Sequence, residues 1–262
     1  MSTPLRSPTA SVTRTSITSS LIVELRRLTR SGLGLGVLMA FAFFGLSSPV
    51  LAIYMPEILG AAASSDQLTI AASQATPADA ISLFNQSAMQ LGLIVTVAVA
   101  ITSIGWDTRP GSSIFYRTRA RRLSTVLLPR LIVDWLIALA TYSCGLLLAV
   151  VVTASAIGHP PAGVVVRIWV ACGLYIVMAM SIGHLLAASL RRTTTAIALT
   201  TLLVLVLPVM NQVPGTSRWA PTALLLPAGL HAMPVVAALV VTGLCAVGSV
   251  LIARRQMLRR DA

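Results

Sequence analysis

No lysine occurs in the 262 residues; all nineteen basic residues are arginine. This excludes the nucleotide-binding loop G-x-x-x-x-G-K-[ST], whose lysine reaches the β and γ phosphates, so ATP-driven work would have to be powered by a partner. Acids number seven, and the three histidines, His159, His184 and His231, are not spaced as an H-E-x-x-H zinc protease requires. The three cysteines, Cys144, Cys172 and Cys245, each fall in an apolar run and read as small buried residues, not as a disulfide framework.

What is abundant is apolar. Hydrophobic residues make up 56% of the chain and charged ones 10%, too little charge to cover a soluble domain of this size. Several apolar runs reach about 20 residues, the length that crosses a roughly 30 Å hydrocarbon core as helix. The expected class is therefore all-α: a polytopic membrane protein with six transmembrane helices, an N-terminal interfacial helix and both termini cytoplasmic. A formal charge of +12 could mark nucleic-acid binding, but the arginines sit at the ends of apolar runs, as membrane topology alone requires. No nucleic-acid partner is expected. Arginine-only usage with abundant alanine reads as GC-rich bacterial coding, which makes the bacterial cytoplasmic membrane the expected location.

Residues 1–15, rich in Ser, Thr and Pro, read as a disordered cytoplasmic tail, with no signal-peptide cleavage expected. Over 16–30, Ile17, Leu21, Leu25 and Leu28 recur at helical spacing, with Glu24, Arg26, Arg27 and Arg30 on a polar face. This predicts an amphipathic interfacial helix whose Arg26, Arg27 and Arg30 meet anionic headgroups. Residues 31–254 carry the transmembrane domain, with spans at about 33–55, 88–106, 131–157, 164–190, 194–209 and 233–252. Gly32, Gly36 and Ala40 form a small-residue row at the start of the first span, read as ordinary packing within the chain. A short helix over 78–90 leads into the second span. Between spans five and six, residues 210–232 are interrupted by Pro214, Gly215, Pro221, Pro227 and Gly229 and suit re-entrant or interfacial pieces. Residues 255–262 form a second cytoplasmic tail.

With both termini inside, 17 of the 19 arginines lie on the inner side, leaving Arg167 and Arg218 outside; the positive-inside rule selects this orientation. Six of the inner arginines crowd the segment 107–130 between spans two and three.

Candidate chemistry within the spans is sparse. Ser181 and His184 lie three apart on one helix, but no glycine-rich surround offers an oxyanion hole. A single intramembrane histidine reads first as a satisfied polar residue at a helix contact. Asp134 follows Arg130 by four residues, so the two are expected to pair near the inner end of span three. A proton-coupled carrier with a carboxylate relay is disfavoured. No catalytic residue, cofactor or metal ligand is identified.

The whole order resembles the permease subunit of the ABC-2 class of ABC transporters: an interfacial helix, six spans, a coupling segment between spans two and three, and re-entrant pieces between five and six. In that class the coupling segment shows an acidic residue, a Gly-Thr-like pair, an arginine-rich turn and a basic residue opening the third span. The matching places here are Asp107, Gly111-Ser112, Arg121-Arg122 and Arg130, with Asp for the usual Glu and Ser for Thr. The additional Arg117 and Arg119 make this segment more basic than usual. The resemblance implies a non-enzymatic subunit that pairs with a second permease, identical or related, and docks separate ABC ATPase subunits that bind the ATP. Their closure would act on the segment around Asp107, Gly111, Ser113, Phe115, Tyr116, Arg117, Arg119, Arg121 and Arg122. Ser113, Phe115 and Tyr116 would seat in a partner groove and the arginines would meet acids or lipid phosphates. Apolar walls suit an amphipathic cargo such as a drug, a peptide or a lipid-linked glycan. The alternative is a membrane scaffold or immunity protein that binds a partner without transport.

Overall fold

A computed structural model describes residues 17–63, 76–105, 124–190, 192–213, 215–216, 219–226 and 230–258. Within them the chain is helical, without strands: α1 (Ile17–Arg30), α2 (Leu33–Ala63), α3 (Pro77–Ser87), a π turn (Ala88–Gly92), α4 (Leu93–Gly105), α5 (Ser124–Ala156), α6 (Ala162–Ser189), α7 (Thr193–Val206) and α8 (Ala232–Leu258). Six stretches are long and apolar enough to cross a membrane: Leu33–Met55, Pro77–Ser103, Leu127–Ala156, Ala162–Ser189, Thr193–Gln212 and Ala232–Ile252. The protein is accordingly a multi-pass membrane protein.

α2 shows how these helices can be apolar all round and still have two faces. Val37, Phe41, Gly45, Ser48 and Ala52 are buried, while Leu35, Met39, Phe43, Leu46 and Val50 are exposed. The two rows are offset by two residues, about 200° around a helix with 3.6 residues per turn. The buried row packs on α5 through its smallest members. A Cβ on Gly145 of α5 would stand 2.7 Å from the Phe41 carbonyl oxygen, and one on Gly45 would run into the Gly145 carbonyl. The expected row of Gly32, Gly36 and Ala40 does not do this work. Nothing lies within 4 Å of a Cβ built on Gly36 or Gly32, and Gly32 has φ +72°. It supplies the left-handed residue that ends α1 and turns the chain into α2.

α3 begins at a reciprocal cap. The Asp79 N–H donates to Thr76 Oγ1 (3.3 Å), the Thr76 N–H donates to Asp79 Oδ2 (3.1 Å), and Pro77 occupies the first turn. The helix runs through the π turn into α4, so the second span begins earlier than the pattern over 88–106 indicated. Gly92 in that turn admits the Phe41 ring, whose Cε1 would stand 2.7 Å from a Cβ there. Tyr142 of α5 packs edge-on to Phe41 at 5.7 Å and stacks on Phe84 of α3 at 6.0 Å, locking α2, α3 and α5 together.

α6 is the central helix. From Ala171 to His184 it is buried at nearly every position, and it contacts α3, α4, α5, α7 and α8. α7 and α8 lie at the periphery; Val236, Val240, Leu244, Val247 and Leu251 form an exposed apolar stripe along α8, the kind of surface that requires a lipid covering. The segment between α7 and α8 holds two short 3-10 pieces, Leu207–Gln212 and Pro221–Leu225. They are tied together by Asn211 Nδ2 donating to the Thr222 carbonyl (3.1 Å) and the Thr222 hydroxyl donating to Asn211 Oδ1 (2.8 Å). Cys172 and Cys245 are buried as expected, but Cys144 is exposed, on the outer face of α5; all three are free thiols.

Candidate functional site

The residues predicted to couple to an ATPase, Asp107, Gly111, Ser113, Phe115, Tyr116, Arg117, Arg119, Arg121 and Arg122, lie outside the described residues. Both stems of that segment are described, and a buried ionic cluster grips them. α5 starts at Ser124, so Arg130, expected to open the third span, instead lies inside the helix after Pro129 and is 2% exposed. A charge taken out of water at such a position costs several kcal/mol unless it is paired. α1 provides a partner: Glu24 Oε1 lies 3.5 Å from Arg130 Nε and accepts from Arg27 Nη1 at 2.8 Å. Arg27 Nη2 donates to the Ser103 carbonyl at 2.7 Å. That carbonyl belongs to the last turn of α4, where carbonyls lack helical partners and the helix dipole favours a cation.

This arrangement changes the reading of α1. Glu24 does not belong to the outer polar face; with Leu28 it is buried against the bundle, while Ile22 and Leu25 are exposed beside Arg26 and Arg30. Of the three arginines assigned to headgroups, Arg26 and Arg30 point outward and Arg27 turns inward. Charge complementarity overrides the apolar pattern, because turning Glu24 toward the buried Arg130 and Arg27 gains more than exposing a leucine to an apolar or interfacial surrounding costs.

Asp134 continues the cluster. Ser103 Oγ donates to its Oδ2 at 3.2 Å, and His184 Nε2 of α6 lies 3.1 Å from the same oxygen. The expected Arg130–Asp134 pair is not among the described ion pairs; each residue is engaged by a different helix. His184 is thus the polar residue at a helix contact that its position suggested. The Ser181 hydroxyl donates to the Val177 carbonyl at 2.7 Å, so it is spent within its own helix. Among the described residues no three His, Cys, Asp or Glu side chains converge as metal ligands would.

A second feature lies at the other end of α6. Arg167 is seventeen positions before His184, about 26 Å along the helix. Here α3, α6, the end of α7 and the Pro221–Leu225 turn enclose a cavity of about 780 Å³. Asp79, Ser82 and Gln86 of α3 and Gln90 of the π turn recur at spacings of three and four and line it on one side, while Ala80, Ile81, Phe84 and, in the π turn, Ala88 take the buried face. That two-faced pattern was present in the sequence as the signal for this wall. Asn85 lies at the back, where Oδ1 accepts from Tyr142 Oη at 3.3 Å and Cys172 Sγ at 2.8 Å.

Comparison with protein-family models, with curated proteins and with solved structures finds no match.

Proposed function

We propose that the chain is the membrane-spanning permease subunit of an ATP-driven exporter of the ABC-2 class. In this reading both termini and the 107–130 segment face the cytoplasm, α1 lies in the inner interface, and the membrane is the bacterial cytoplasmic one. ATP is hydrolysed on separate ATPase subunits, and a second permease, identical or related, completes the translocation path. The observation that carries the reading is the way α1 holds both stems of the basic segment, α4 through Arg27 and the Ser103 carbonyl, α5 through Glu24 and Arg130. A soluble motor pressing on 107–130 would act on a stapled unit, and through Asp134 and His184 the push would reach the central helix α6. Hydrogen-bonded charge clusters of this kind hold fixed geometry where a lone apolar contact would slide. A segment that served only as a topology anchor would need arginines, but not a buried ionic connection from its stems to two further helices, α1 and α6.

The test is to purify the tagged chain from its native membranes and identify what comes with it. The expected companion is a soluble ATPase carrying the lysine-bearing phosphate loop that this chain lacks. A clean preparation, from membranes in which such an ATPase is expressed, overturns the exporter reading and leaves the scaffold in its place.

A further inference from the structure

We infer that the cavity between α3, α6, α7 and the Pro221–Leu225 turn is a binding site for an anionic amphiphile, a molecule with an acceptor-rich acidic head and an apolar tail. The inference does not depend on the exporter reading, because it concerns this chain alone.

The walls divide by chemistry. Leu205, Pro208, Leu224 and Leu225 form an apolar side, and α3 with Arg167 forms a polar one. The polar side is rich in donors without protein partners. Both donors that reach Asn85 end on Oδ1, which fixes which way the carboxamide faces; its Nδ2 has no hydrogen bond among the described residues and is available to the cavity. The carboxamides of Gln86 and Gln90 and the guanidinium of Arg167 are likewise without described partners. Asp79, the one carboxylate in the lining, is already compensated. It accepts from the Thr76 N–H and hydroxyl and sits at the positive end of α3. The uncompensated charge is therefore Arg167, whose planar donors suit phosphate or carboxylate oxygens. A volume of about 780 Å³ with a mostly apolar lining and a few convergent polar groups is the form of a small-molecule site. Inorganic phosphate would satisfy Arg167 but leave the leucine wall idle, whereas a tailed head uses both.

The test uses the full chain purified in an uncharged maltoside detergent, titrated with dioctanoylphosphatidylglycerol and followed by native mass spectrometry. One saturable adduct per chain is expected. Arg167→Ala, an exposed position where truncation spares the fold, should weaken binding about ten- to a hundredfold. Ala171→Phe, which fills the cavity from α6, should abolish it, with an unchanged melting curve as the check that the variant is folded. Dioctanoylphosphatidylcholine, which adds a cation to the head, and glycerol 1-phosphate, which lacks the tails, should each bind at least about tenfold more weakly. Adducts that never saturate, binding indifferent to Arg167→Ala, or a phosphatidylcholine analogue bound as tightly overturns the proposal. Glycerol 1-phosphate bound as tightly as the tailed probe overturns the amphiphile and leaves a simple anion site.

Discussion

Glu24 and Arg130 meet inside the bundle, Oε1 to Nε at 3.5 Å, the arginine 2% exposed and the glutamate 7%. One belongs to a helix whose pattern reads as interfacial, the other to the third span. Glu24→Ala should cost about 3 kcal/mol or more, the usual result of removing one member of a buried pair, and Glu24→Gln less, since its amide oxygen still accepts. The measurement is thermal unfolding of the full chain in detergent. Glu24→Ala melting with the wild type would mean that the pair holds nothing.

Gly145 permits a close contact between α5 and α2, lying against the Phe41 backbone where a Cβ would stand 2.7 Å from the carbonyl oxygen. Backbone cannot yield as a flexible side-chain end can, so Gly145→Ala must separate α2 from α5. The expected loss is about 1–3 kcal/mol. Gly36→Ala, with nothing within 4 Å, should be neutral or stabilising by up to about 1 kcal/mol through helix propensity. Equal effects at the two positions, read from unfolding in a denaturing detergent series, would contradict this assignment of the packing glycines.

The contrast between these two glycines shows where the sequence was legible. Six apolar runs announce six membrane-length helices because length and hydropathy are local properties, and the short helix over 78–90 leading into the second span was legible for the same reason. Which glycine packs is not local: Gly32, Gly36 and Ala40 satisfy the small-residue spacing as well as Gly45 does, and only the partner helix distinguishes them. The same holds for charge. Arg130 and Asp134 invite pairing along one helix, whereas Glu24 and His184 come from α1 and α6 to claim them, a match that no spacing along one helix encodes. The donor face of α3 was readable in its three-and-four spacing, but its meaning required the leucines of the Pro221–Leu225 turn opposite.

If the 107–130 segment meets a motor, its aromatic residues are the anchors. Phe115 and Tyr116 are the only aromatic residues between Trp106 and Trp135, and aromatic side chains seated in partner grooves dominate contact energies, often at 2 kcal/mol or more. Phe115→Ala and Tyr116→Ala should leave insertion and the melting curve unchanged, while ATP hydrolysis by the reconstituted complex no longer drives export. Export at the wild-type rate in both variants removes these residues from the coupling role.

Orientation can be settled independently of any partner. Seventeen of nineteen arginines fall on one side if both termini are inside, and translocating even one such side chain across the hydrocarbon centre costs roughly 2.5–3.5 kcal/mol on insertion scales. His159 lies exposed in the turn between α5 and α6, at the end opposite the ionic cluster. With Cys144 replaced by alanine and the two buried thiols retained, His159→Cys should react with a membrane-impermeant maleimide added to intact cells. Ser113→Cys should react only after the cells are opened. Labelling of Ser113→Cys in sealed cells would invert the topology, place the basic segment beyond the reach of a cytoplasmic ATPase, and defeat the exporter reading while leaving the cavity and its ligand test untouched.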